Sequence, residues 1–186
     1  MRMRVWAAVF LFRLTVCAFA AMAQGQATQA AGATAAPAGE MKMGKPVVPA
    51  GPMKITFGDK SSEWTPATLA RLPHKTVTLY NEHAKVNQTY SGVELIELLK
   101  PLGVVERPHG KEFRLYLVAE GADGYLAVYS IGEVTPDVHD GTVLVADTLD
   151  GKPLGDTGPL QLVTTGEKRP ARWVRNLAAI HVRTAE

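Results

Sequence analysis

From Met53 onward, apolar residues recur mostly at every second position, in short runs broken by glycine, proline and aspartate, which is the pattern of a strand-rich domain. Met53-Lys54-Ile55-Thr56-Phe57 alternates and predicts a first strand. Lys75 to Tyr80 sets threonine against valine and leucine and predicts a second, followed by a polar connection through Asn81-Glu82-His83 and another strand up to Tyr90. Further strands are expected over Phe113 to Ala119, Tyr125 to Ser130, Val143 to Ala146, Leu160 to Val163 and Ala179 to Val182. Helical signals fall between them. Thr65-Pro66 offers a capping hydroxyl and a proline at the first helical position, and the segment runs to Leu72, where Pro73 stops it. Ser91-Gly92-Val93-Glu94 reads as a capping box ahead of a helix with an apolar face of Val93, Ile96, Leu99 and Leu102, ended by Pro101 and Gly103. Ile131 to Val134 predicts one helical turn before Pro136. Asp123-Gly124, within Glu120 to Gly124, is the strongest turn signal, and Asp150-Gly151-Lys152-Pro153 is another. Strands outnumber helices and the helices are irregularly placed, so the expected class is α+β with a mixed sheet and short helices. There is no internal repeat and no glycine spacing that would cradle a phosphate.

The first fifty residues follow another rule. Arg2 and Arg4, the apolar run Val5 to Ala20 and the small residues of Ala21-Met22-Ala23 predict a secretory signal over 1–23 and a periplasmic or secreted product. Arg13 interrupts the run, so export is expected rather than a membrane span. A lipoprotein attached at Cys17 is the alternative, against which Val16 is bulkier than such sites usually carry. Residues 24–52 are rich in Ala, Gly, Gln, Thr and Pro and predict a disordered leader, in which Met41 and Met43 are two thioethers without a His or Cys beside them. The folded domain is expected over 53–186. Cys17 is the single cysteine of the chain and leaves with the signal, so the mature domain has no thiol for catalysis, a disulfide or a metal. Loss of Arg2, Arg4 and Arg13 takes the formal charge from +2 to −1, which removes any argument for a nucleic-acid partner.

Candidate chemistry concentrates between Gly158 and Arg175. Lys168, Arg169, Arg172 and Arg175 crowd around Trp173. A guanidinium is a planar fork of donors that also stacks on aromatic faces, and an indole is a large flat surface with one polar edge. Together they suit a planar, electron-rich or anionic heterocycle. The alternative is a core tryptophan flanked by solvated or ion-paired arginines.

The ordered series formed by Tyr90-Ser91-Gly92-Val93-Glu94-Leu95, Asp123-Gly124-Tyr125, Asp147 with Gly151-Lys152-Pro153-Leu154, Gly158-Pro159-Leu160 and Ala171-Arg172-Trp173-Val174-Arg175 resembles the oxidoreductase molybdopterin-binding domain of the sulfite oxidase fold, over roughly Lys75 to Val182. In catalytic members a cysteine thiolate upstream of the glycine that Gly92 resembles holds molybdenum. The corresponding stretch here, Tyr80 to Asn87, has no sulfur. The resemblance therefore implies the cysteine-free, exported pterin-binding type. Its ligand would be a pterin or molybdopterin-like molecule with no metal, and it would be sensed by or presented to a partner such as the periplasmic sensor domain of a membrane protein. Trp173 or Tyr125 would stack on the rings, Arg172 and Arg175 would supply fork donors, Lys168 and Arg169 would line the mouth, and Asp123, with Asp147 second, would accept the ring N–H groups. His83 is a further candidate contact, against a plain surface-loop role. Two other functions stay open: a molybdenum-cofactor oxidoreductase or an accessory subunit of one, and a protein-interaction module whose basic cluster meets an acidic partner.

Overall fold

The computed structural model describes residues 50–82 and 84–186, all within the unit Met43–Glu186. The signal, nearly all of the leader, Cys17 and His83 lie outside the described residues.

Two sheets and three short helices make up an α+β domain. The first sheet holds β1 (Met53–Phe57), β2 (Lys60–Trp64), β5 (Leu115–Gly121), β6 (Leu126–Ser130) and β10 (Leu177–Thr184) in the order β2-β1-β10-β5-β6. It is mixed, because β1 and β10 run parallel while the other neighbours are antiparallel. The second sheet holds β3 (Lys75–Asn81), β4 (Val86–Glu94), β7 (Val143–Leu149) and β8 (Lys152–Pro153), with β9 (Gln161–Thr164) also paired to β7. Its pairings are antiparallel. The helices are α1 (Pro66–Leu69), α2 (Leu95–Leu99) and α3 (Ile131–Val134). No helix among the described residues is long and apolar enough to cross a membrane.

The alternation read from the sequence explains the layering. Ile55, Leu117, Ala119, Tyr129, Ile180 and Val182 of the first sheet share one buried cluster with Val93, Val143, Val145 and Leu162 of the second and with Leu95, Ile96, Leu98 and Leu99 of α2. Full burial of such aliphatic side chains is worth about 1.5–3 kcal/mol each. The second sheet is also covered on its other face, where Tyr90, Leu144, Ala146, Leu154 and Val163 form a smaller cluster that Trp173 packs against. Double coverage accounts for the unbroken apolar run Val143-Leu144-Val145-Ala146, in which all four side chains are buried.

Four expectations change. The helix expected to reach Leu72 ends at Leu69, with Ala70 as its cap. The single mixed sheet is two sheets, of which only the first is mixed. Ser91 to Glu94 is not a capping box: these residues extend β4 and pair with β7 from Thr148 to Leu144, and the cap position Glu94 makes no side-chain capping bond. Sheet pairing on both sides of Gly92 outcompetes the local cap. The strand expected from Phe113 instead starts at Leu115, because Gly110–Arg114 winds into a 3-10 turn capped by His109 and Glu112. The Thr65 cap does form, accepting from the Thr68 backbone with Pro66 at the start of α1. The Ser130–Glu133 pair caps α3 reciprocally.

Candidate functional site

The segment that carries Trp173 lies beside β9 almost as an extra strand. Leu162 and Val174 exchange both backbone bonds, 2.9 Å from the Leu162 N–H and 3.1 Å from the Val174 N–H. Extended backbone sends successive side chains to opposite faces. Val174 accordingly enters the main core, fully buried, while Trp173 stays half-buried on the second cluster. The indole is held at two points. Its Nε1–H donates to the Thr164 carbonyl at 3.0 Å, and its ring meets Tyr90 edge to face, with centroids 5.3 Å apart and planes at 81°. Such a pair adds about 0.5–1.5 kcal/mol beyond burial.

Trp173 and Pro170 are shared by two neighbouring recesses. The larger, about 440 Å³, is lined by Leu79, Tyr80, Asn81 and Glu82 at the end of β3 and by Thr164, Glu167, Lys168 and Arg169. The other, about 310 Å³, is lined by Asp123, Tyr125, Ala171 and Arg175. Both volumes suit a small molecule.

The β5–β6 turn reaches Trp173 because two backbones cross closely. The Ala122 N–H donates to the Asn176 carbonyl at 2.9 Å, and a Cβ at Gly121 would stand 2.9 Å from the Arg175 carbonyl oxygen. Asp123 performs the turn role its sequence suggests: one carboxylate oxygen accepts from the Tyr125 N–H at 3.0 Å, and Gly124 takes φ +83°. The Tyr125 hydroxyl donates to the Ala171 carbonyl, which fixes the ring at the wall of the smaller recess.

The four cations of the segment divide sharply. Arg172 lines neither recess. Its Nη1 lies 2.7 Å from Glu133 and its Nη2 2.5 Å from Glu167; Nη1 also donates to the Val128 carbonyl at 3.2 Å, and the guanidinium sits 4.7 Å above the Tyr129 ring. Burial alone would lower the Arg172 pKa, yet the two carboxylates hold it above its ordinary value. Burial likewise pushes Glu133 up, but the Ser130 backbone, Arg172 and the Ser130 hydroxyl outweigh it and bring it below the ordinary carboxylate value. Tyr129, mostly by burial, is pushed up to about 12, and its hydroxyl donates to the Arg172 carbonyl at 2.5 Å. The fork expected to meet a ligand is thus occupied by neighbouring acids, and Arg172 ties its loop to β6 and α3. Lys168, Arg169 and Arg175 make no ion pair among the described residues, and all three line the recesses.

Asp147 is also placed apart from the indole. It lines a third recess that shares no residue with the other two. The residues that sequence reasoning missed are Leu79 to Glu82, Thr164 and Glu167 at the larger recess, and His74, which meets Asp147. Glu167 and Thr164 flank the cationic cluster and could have been read from proximity. No local signal joins β3 or His74 to residues so distant in sequence.

The described residues form a two-sheet α+β domain in which one indole stands between two recesses of small-molecule size. No family model matches the chain, and no curated protein matches it either.

Proposed function

We propose that the protein is a non-catalytic pterin-binding protein, which holds a pterin or related planar heterocycle against Trp173 and presents it to a partner. The observation that carries this reading is the lining of the smaller recess: an acceptor carboxylate (Asp123), a fork donor that makes no ion pair among the described residues (Arg175) and two aromatic rings (Tyr125 and Trp173). A pterin has an amino-pyrimidinone edge like that of guanine, with N–H groups for a carboxylate and a carbonyl and ring nitrogen for a guanidinium. The indole is already held by Thr164 and Tyr90, so little ordering remains for the ligand to impose. Lys168 and Arg169 add positive charge at the neighbouring mouth, where an anionic substituent would be favoured.

The molybdenum centre of the resembled family finds no comparable fit. The chain's single cysteine, Cys17, stands in the expected signal, and Tyr80 to Asn87 offers no sulfur. The donors around Trp173 suit the organic ring system and not a soft metal.

The test is titration of the exported protein with oxidised and reduced pterins, following tryptophan fluorescence and melting temperature. At a hundredfold excess over Kd the protein should gain about 2.7 kcal/mol of stability. Arg175→Ala and Asp123→Asn should each weaken the response. If no pterin at high excess moves either signal, or if both variants respond like the parent, the proposal fails.

A further inference from the structure

The third recess, about 520 Å³, lies among Pro66 and Ala70 at α1, Pro153, Leu154 and Pro159, with Asp147 on its lining. A carboxylate among such apolar walls needs a reason. The pairing of β4 with β7 matches Ser91 to Thr148 and Gly92 to Ala146, so Asp147 is the extra residue of a β-bulge. Bulges re-aim a side chain out of the regular alternation. The backbones are pressed together there, since a Cβ on Gly92 would stand 2.1 Å from the Val145 carbonyl oxygen. The Asp147 side chain is only 7 % exposed. Its Oδ2 lies 3.0 Å from His74 Nε2, and its Oδ1 is buried without a hydrogen-bond partner. A buried acceptor left unsatisfied is destabilising, and more so on a carboxylate.

His74 supports the same group from behind. Its Nδ1 lies 2.9 Å from the Leu72 carbonyl and its Nε2 3.0 Å from Asp147 Oδ2, and since both partners accept, the ring satisfies both as the imidazolium, with an N–H on each nitrogen. The imidazolium therefore holds Oδ2, while Oδ1 stays covered and makes no hydrogen bond among the described residues.

We infer that this recess is a second ligand site, independent of the Trp173 recesses, which takes a small primary amine with an apolar, ring-sized body. The ammonium donates to Oδ1 and the body lies along the prolines and Leu154. Three prolines are stiff walls that lose little freedom when covered. Oδ1 is covered by protein, so engaging it takes a small rotation of the carboxylate toward the recess, with His74 still in reach of Oδ2. An acidic ligand is disfavoured by the carboxylate, and a neutral one gains only the weaker hydrogen bond.

Benzylamine is a direct probe, with benzyl alcohol and benzoate as controls, read by backbone amide shifts in a two-dimensional NMR titration of the full chain. Benzylamine should saturate shifts at Asp147, Thr148 and Leu154, while benzyl alcohol binds at least about tenfold more weakly and benzoate gives none. Asp147→Asn should weaken benzylamine by a similar factor. Ala70→Trp, which adds bulk at the recess from an exposed position, should abolish the shifts and decides the matter if Asp147→Asn fails to fold. The inference is overturned if no saturable shifts appear, if the alcohol binds as well as the amine, if Ala70→Trp binds like the parent, or if excess pterin displaces the amine.

Discussion

The guanidinium of Arg172 satisfies two carboxylates, a carbonyl and an aromatic face, whereas Arg175, three positions on, makes no ion pair among the described residues and lies on a recess wall. Arg172→Ala should therefore destabilise the fold, and its ion pairs must be discounted for solvent because 38 % of the side chain is exposed. About 1–2 kcal/mol is expected, measured by urea unfolding, with Arg175→Ala within about 0.5 kcal/mol of the parent. The opposite ranking should hold for pterin affinity. His74 gives a second test at this scale. Its hydrogen bond to Asp147 raises its pKa above the ordinary 6.5 despite the opposing effect of burial. A raised folded pKa means stabilisation that is complete below the unfolded value and is lost as pH rises through the folded one. The stability difference between the parent and His74→Gln should accordingly be larger at pH 5.5 than at pH 8.5. A difference that is flat with pH, or that grows on the alkaline side, would contradict the His74–Asp147 pairing.

At the scale of elements, glycines decide where the chain can cross itself. Gly92 is pinned under the bulge, with Val145 and Ala146 backbone atoms 2.1–2.7 Å from where a Cβ would be. Gly92→Ala should cost more than about 3 kcal/mol, because only backbone can yield there. Gly121→Ala should be milder in stability but should push the Asp123–Tyr125 turn away from Arg175, so pterin affinity should fall more than the melting temperature does. The elements themselves were largely legible. The alternation of β1 and β3, the Asp123-Gly124 turn and the single helical turn of α3 depend on local patterns, and each forms where the pattern places it. Lys60 to Trp64 gave no signal, because β2 is an edge strand with polar Lys60, Ser61, Ser62 and Glu63 facing solvent wholly or in part. Ser91 to Glu94 misled because a capping box and a paired strand can share one sequence, and the competing β7 lies some fifty residues away. The same division runs through the site. Trp173, Lys168, Arg169 and Arg175 were readable as a cluster, with Asp123 and Tyr125 joining them across a hairpin. The ion-paired alternative holds for Arg172, but its partner Glu133 and the separate placement of Asp147 were not readable, since both are set by long-range pairing.

For the molecule as a whole, β10 is the piece that closes the fold. It lies in the centre of the first sheet, parallel to β1 and antiparallel to β5, and its Ile180 and Val182 reach the main core. The Thr56 hydroxyl meets His181 Nδ1 at 2.9 Å across 125 residues of sequence. Leu177 is tied to Leu160, and Asn176 to Thr157, so the entry to β10 also anchors the segment that carries Trp173. A chain ending at Asn176 would leave β1–β2 and β5–β6 as separate two-stranded pieces, which are marginal in water. It should show no cooperative thermal transition and no pterin response, even though the residues lining the three recesses are still present. Pairings this distant in sequence also make loop closure the slow step. Refolding of the domain, followed by tryptophan fluorescence in stopped flow, should fall in the range of milliseconds to seconds. Microsecond folding, or a cooperative transition in the truncated chain, would mean that β10 adds to a core already formed without it.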